Sequence, residues 1–193
     1  MDQKNVPIFD VVRRRAVEGV AMVDAMRERL GRLAPGMAER ADLAAVAGDV
    51  VDFCRPAVET AYPGCAPEIT VEGESAPVVC NPGELRRAMT ALLFNAVSAA
   101  GRNGRVLVRT GVDRRHSVAQ FEDSGSGLPA DHSRRAKEPF YTTAEGGHAG
   151  LGLTIADGVA RSFGGSVSAR MTETGGMTAA LMLPTADVRD FPA

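Results

Sequence analysis

From Ser124 to Gly150 the chain carries a long glycine- and proline-bearing stretch, set between an alternating strand and an amphipathic helix. Segments longer than about 12–15 residues without structure of their own are uncommon inside compact domains unless they serve a function. Any fold for this chain must accommodate that stretch while holding its two flanks in place.

The flanks supply enough material for one domain plus an appendage at 193 residues. Apolar residues make up 45% and charged residues 24%, an ordinary globular balance. The net charge of −2 recommends neither nucleic acid nor an anionic membrane as partner. No apolar run approaches the roughly 20 residues of a membrane span, and no signal-peptide pattern opens the chain. Cys54, Cys65 and Cys80 are odd in number and form no CxxC pair, which suits a reducing cytoplasm. They read as buried small apolar side chains, and the expected location is cytoplasmic.

Residues 1–36 form the appendage. Phe9, Val12, Ala16, Gly19, Val23, Met26, Leu30 and Leu33 step by three or four residues, a heptad-like helical seam that ends at Pro35-Gly36. One helix cannot bury such a stripe alone, so it docks on the domain or, preferably, on another chain as a possible homodimer contact. Residues 37–193 carry the domain. A helix with Asp42 as N-cap and Pro56 as a kink or break leads into short strands "EITVEG" and "PVV" around Gly73-Glu74. A helix from Pro82 to Gly101 follows, then alternating strands "RVLVRTGV" and "HSVAQFED" joined near Asp113-Arg114. After the long stretch come the helix "LGLTIADGVARSF" and two closing strands, "SVSARMT" and "MTAALMLP", with Thr174-Gly175-Gly176 between them. This order indicates an α+β fold, with helices covering one face of a mostly antiparallel sheet.

Three features carry chemistry. On the helix from Pro82, the residues Leu85, Ala88, Met89, Leu92, Ala96 and Ala99 share an apolar face. At about 100° per residue, Asn95 lies roughly 80° from the centre of that face, at the border of the core. Asp123 comes off its strand as D-x-G-x-G with Gly125 and Gly127. That is either an Asp-Gly turn or a carboxylate that accepts the exocyclic amino group of adenine and rejects guanine, with glycines clearing room for the base. Gly146, Gly147, Gly150 and Gly152 crowd the approach to a helix, where main-chain amides and the helix dipole favour phosphate. Neither a Walker A loop nor a Rossmann fingerprint is present.

In this order the three features resemble the ATP-binding domain shared by gyrase, MutL and sensor histidine kinases, and most resemble the histidine-kinase branch. "LRRAMTALLFNAVSAA" is similar to that family's N box, "EDSGSGLP" to its G1 box, "EPFYTT" to its F box and "HAGLGL" to its G2 box. "GGMTAALMLP" is similar to its closing strand, and "PFYTT" looks most like the nitrogen-regulator type. The resemblance spans about Asp42 to Pro184. It implies a Bergerat-type ATP-binding fold: a two-layer α/β sandwich with a five-stranded, mostly antiparallel sheet under about three helices.

It also implies roles. Asn95 would be the catalytic residue that offers its carbonyl oxygen to Mg²⁺, a hard cation that keeps several waters. Asp123 would hold the adenine of ATP, with Gly125 and Gly127 shaping the pocket. Gly150, Leu151 and Gly152 would give main-chain contacts to phosphate. Thr142 to Gly147 would form a lid, with Thr143 among the nucleotide contacts. Thr178 would lie near Asp123 and share a water with the base, while Phe140 would either anchor the lid or touch the ligand. Residues 1–36 resemble the second helix of a dimerisation bundle.

Four departures qualify that picture. His116, His132 and His148 all lie in the ATP-binding portion, so the phosphoacceptor histidine is expected outside this chain. Ala91 stands where the family often has a second Asn and where related ATPases have a carboxylate base, which disfavours hydrolysis. His148-Ala149 replaces a Gly-Thr, and Ala144 stands where a lid lysine is common, with Arg134, Arg135 or Lys137 as candidate substitutes. Asn81 replaces an Asp as a simple cap exchange. The expected function is transfer of the ATP γ-phosphoryl group to a histidine on a dimerisation helix, then to a response regulator. The alternatives are a degenerate nucleotide-binding scaffold and an anti-sigma-type serine kinase.

Overall fold

The computed structural model describes residues 38–127, 152–173 and 175–186. The helix expected over residues 1–36 lies outside the described residues. So do Phe140, Thr143, Ala144, His148, Gly150, Leu151 and the rest of the long stretch beyond Gly127.

The elements run β1 (Glu39–Asp42), α1 (Leu43–Ala61), β2 (Glu68–Gly73), β3 (Pro77–Cys80), α2 (Pro82–Ala100), β4 (Arg105–Asp113) and β5 (His116–Asp123). Then come α3 (Gly152–Ser162), β6 (Ser166–Met171) and β7 (Met177–Pro184). The main sheet has five strands in the order β2-β4-β5-β7-β6, parallel only between β2 and β4. All three described helices pack their apolar stripes on one face of it, so the expected two-layer α+β architecture is what forms. The shared core runs from Val46, Val50 and Cys54 of α1 and Leu85, Met89 and Leu92 of α2 to Phe121, Leu181 and Leu183 of the sheet.

Helix starts follow the sequence signals. The Asp42 carboxylate accepts from the Ala44 amide at 2.8 Å and also takes the Ser75 hydroxyl. Burial pushes that carboxyl up, but the Ser75 hydroxyl and the Ala44, Ala76 and Ala45 amides together hold it below its ordinary value. The Asn81 side chain caps α2 by accepting from Gly83 at 2.8 Å and Glu84 at 3.1 Å, so the exchange from Asp preserves the cap.

Three expectations change. Helix α1 runs through Pro56 without a break. The ring removes only the bond to the Asp52 carbonyl, and both residues are exposed, so that carbonyl is left to solvent and not buried unpaired. A strand the sequence did not signal, β1, pairs with β3, while β2 lies against β4. The turn between β4 and β5 falls on Arg114-Arg115, with Arg114 at φ 56°, one residue later than expected. Cys54, Cys65 and Cys80 are free and buried, and burial pushes the Cys80 thiol up to about 11.

Candidate functional site

Strand β5 alternates strictly, with Ser117, Ala119, Phe121 and Asp123 buried on the face toward the helices. Asp123 therefore occupies the last core position of the strand and is only 3% exposed. Its Oδ1 accepts from the Gly125 amide at 2.9 Å, while Oδ2 is buried with no hydrogen-bond partner. Burial pushes this carboxyl up; the Gly125 and Met177 amides pull it back, and the neighbouring charge of Glu122 adds to the rise. A buried acceptor without a donor destabilises the fold, and such orphans in native structures call for an explanation. The chemistry that suits this one is an N–H donor arriving with a ligand.

The glycines around Asp123 explain how the site closes. A Cβ on Gly125 would lie 2.3 Å from the Ala99 carbonyl oxygen, so the turn after β5 rests directly on the last turn of α2. Gly127, at φ +67°, would put a Cβ 2.5 Å from the Gly175 carbonyl oxygen and from the Met171 thioether. The sequence suggested that these glycines clear room for a base. In the fold, the space a side chain would take is filled by protein.

Asn95 stands one turn before Ala99 on α2 and is half-buried. Four residues in the other direction is Ala91, so the three form one stripe along the helix. Gly152, the first residue of α3, sits against that stripe: its Cβ would lie 3.1 Å from the Ala91 carbonyl oxygen and 3.5 Å from the Asn95 Cβ. Asn95 is thus flanked by the start of α3 at Gly152 and, about 6 Å along the axis by helical rise, by the Asp123-Gly125 turn. Asn95, Asp123, Gly125 and Gly152 converge on one side of α2. Thr143, Gly150 and Leu151 lie outside the described residues. Among the described residues no cluster of three or more His, Cys, Asp or Glu side chains is arranged to hold a metal ion.

Thr178 requires a correction. The register pairs it with Glu122 on one side and Arg170 on the other, on the sheet face opposite Asp123. Cross-strand partners share a face and neighbours along a strand alternate, so the residue beside Asp123 is Met177. A water shared by Asp123 and the Thr178 hydroxyl does not fit this register. Every residue but one in "MTAALM" is apolar, which hid the alternation. The sole polar residue falling on the outer face was the available signal.

This constellation matches known proteins. A profile described as histidine kinase-, DNA gyrase B-, and HSP90-like ATPase matches residues 80–187. The chain belongs to that family. As an ATPase-family domain it handles ATP. The domain is 35% identical over 150 residues to the sensor protein CutS of Streptomyces coelicolor, covering 74% of this chain and 35% of that one. It is 34% identical over 109 residues to the sensor protein CreC of Escherichia coli, covering 55% of this chain and 23% of that one. The chain therefore spans about a third or less of the length of these curated relatives. In fold it is similar to the mycobacterial sensor histidine kinase MprB, with a TM-score of 0.66 at 24% identity over 78% of this chain and 99% of that one. No described helix is long and apolar enough to cross a membrane.

Proposed function

We propose that this domain is the catalytic part of a protein-histidine kinase acting in the cytoplasm. It binds Mg-ATP and transfers the γ-phosphoryl group to a histidine outside this chain, on a dimerisation helix, from which the group passes to a response regulator. The observation that carries the reading is the buried, unpartnered Oδ2 of Asp123 on the same side of α2 as Asn95. Asp123 selects the base: it accepts a 6-amino group, whereas the 6-oxo group of guanine would face it with a second acceptor. Asn95 contributes one oxygen to Mg²⁺, whose other ligands are phosphate and water, and the metal offsets charge on the transferring group. Thr143, Gly150, Leu151 and Gly152 complete the phosphate end, with residues 1–36 as a dimer contact.

The test is to incubate the chain with radiolabelled ATP and a separate histidine-bearing helical protein of this family. Acid-labile, base-stable label on the helix is the expected result. Absence of labelled histidine with every helix tried would overturn the kinase assignment. Acid-stable label would favour a serine kinase instead.

A second reading has one observation behind it. Ala91, whose carbonyl meets Gly152, offers a methyl group where a base would be needed to activate water. Together with Ala144 and His148 it fits a scaffold that binds nucleotide without turnover. Nucleotide binding by calorimetry, with no transfer to any acceptor, selects that reading.

A further inference from the structure

Three neighbouring strands of the main sheet end side by side at the base end of the site. Met171 closes β6 and Met177 opens β7, and the two are direct cross-strand partners. Continuing the β5–β7 register one step past Glu122 and Thr178 sets Asp123 beside Met177. Asp123, Met177 and Met171 therefore form a row across the sheet on the face toward the helices. Met177 is buried at 6% exposure, while Met171 is 41% exposed. The Gly127 main chain lies against the Met171 thioether, so the turn that follows Asp123 meets the exposed end of this row.

We propose that Met171 and Met177 form the wall for the purine edge at this site, and that oxidation of Met171 closes it; this rests on the nucleotide-binding reading above. A thioether contacts aromatic ring edges favourably and adapts its shape to them. It donates no hydrogen bond, and Met177 holds the place beside Asp123 where a hydroxyl would keep a water. Among the described residues, base selection then depends on one polar contact, the 6-amino group on Asp123 Oδ2, against an apolar wall. Met171 is the accessible half of that wall. A peroxide transfers one oxygen atom to its Sδ as the O–O bond breaks; the sulfur loses two electrons and hydrogen peroxide leaves as water. The product is a polar, chiral sulfoxide packed against Gly127 and pointing at the ring.

The test uses the full chain, hydrogen peroxide and peptide mass spectrometry that reads each methionine separately. With ATP at about ten times its Kd, sulfoxide formation at Met171 slows about tenfold, because only the free fraction reacts. Inorganic tripolyphosphate, which has no base, gives no such protection. Peroxide treatment weakens ATP binding about threefold to tenfold in calorimetry. Met171→Leu binds ATP somewhat more weakly than the parent and loses this peroxide sensitivity. Equal oxidation of Met171 with and without bound ATP overturns the wall, as does equal peroxide sensitivity of Met171→Leu and parent. Failure of the untreated chain to bind ATP, or equal binding by Asp123→Asn, sinks the nucleotide site itself and is thereby distinguished.

Discussion

The two ends of the proposed nucleotide site are built differently. At the base end, a carboxylate is locked at the end of a central strand, 3% exposed, with the Gly125 backbone against its oxygen and Gly176 against the Asp123 main chain. At the phosphate end, a half-buried amide on a helix edge faces the first residue of another helix, with clearances of 3.1 and 3.5 Å at Gly152. Rigid burial suits a group that must discriminate one base edge from another, because an unpartnered acceptor there is costly unless the right donor arrives. A looser seam between two helix edges suits a triphosphate and its cation, which are held by several adjustable contacts. Discrimination is concentrated where the protein is tightest.

The largest effect expected from this contrast is at Asp123. A hydrogen bond to a charged group contributes about 1.5–3 kcal/mol, so Asp123→Asn should weaken ATP binding by roughly one to two powers of ten. The same change removes an orphaned buried charge, so thermal unfolding of the ligand-free protein should shift upward. Unchanged affinity by calorimetry would reduce Asp123 to a turn residue and erase the contrast.

Next come the glycines. Gly125→Ala drives a methyl group into the Ala99 carbonyl and should cost about 1–3 kcal/mol in denaturant unfolding, as overpacking does. Gly152→Ala sets its methyl 3.1 Å from the Ala91 carbonyl oxygen, so that neighbour must give by a few tenths of an ångström, and helix propensity returns up to about 1 kcal/mol. Its net change should stay within about 1 kcal/mol. Equal destabilisation by both would show the two ends to be equally rigid.

Asn95→Ala should act only at the phosphate end. Binding should lose its dependence on magnesium while adenosine affinity stays nearly intact; a parallel loss of adenosine binding would mean the two ends are one cooperative unit.

The smallest effect is a pH dependence. The Asp123 carboxyl titrates above its ordinary value in the fold, chiefly because it is buried. The folded state thus favours the protonated form, and the stability this lends is complete below the ordinary carboxylate range. It is lost as pH rises through the raised value. Asp42 has the opposite sign: its lowered carboxyl stabilises the fold above the ordinary value, and that increment is lost as pH falls through the lowered one. Asp123→Asn should abolish the first slope and leave the second. A slope unchanged by the substitution would place its origin elsewhere.

Much of this was legible in the residues. Caps at Asp42 and Asn81, the helix from Pro82, and the strands ending at Asp123 and opening at Met177 follow from local rules of capping and periodicity. Asn95 and Asp123 stood out because a polar side chain at the edge of an apolar stripe or strand needs a reason. What failed was pairing. Strand β3 joins β1, a strand of four residues with no periodic signal of its own, which the sequence reading did not include. Thr178 looked like a natural companion for Asp123, yet a shift of one residue in register moves a side chain to the other face.

The sequence by itself determined which chemical groups exist and where each element begins, because capping, helical periodicity and strand alternation act over a few residues. Only the tertiary structure decided which groups meet. Gly125 against Ala99, Gly152 against Asn95, and Met177 in place of Thr178 beside Asp123 all depend on register and helix docking between distant segments. Those choices are settled by how the whole core packs, and no short stretch of chain encodes them.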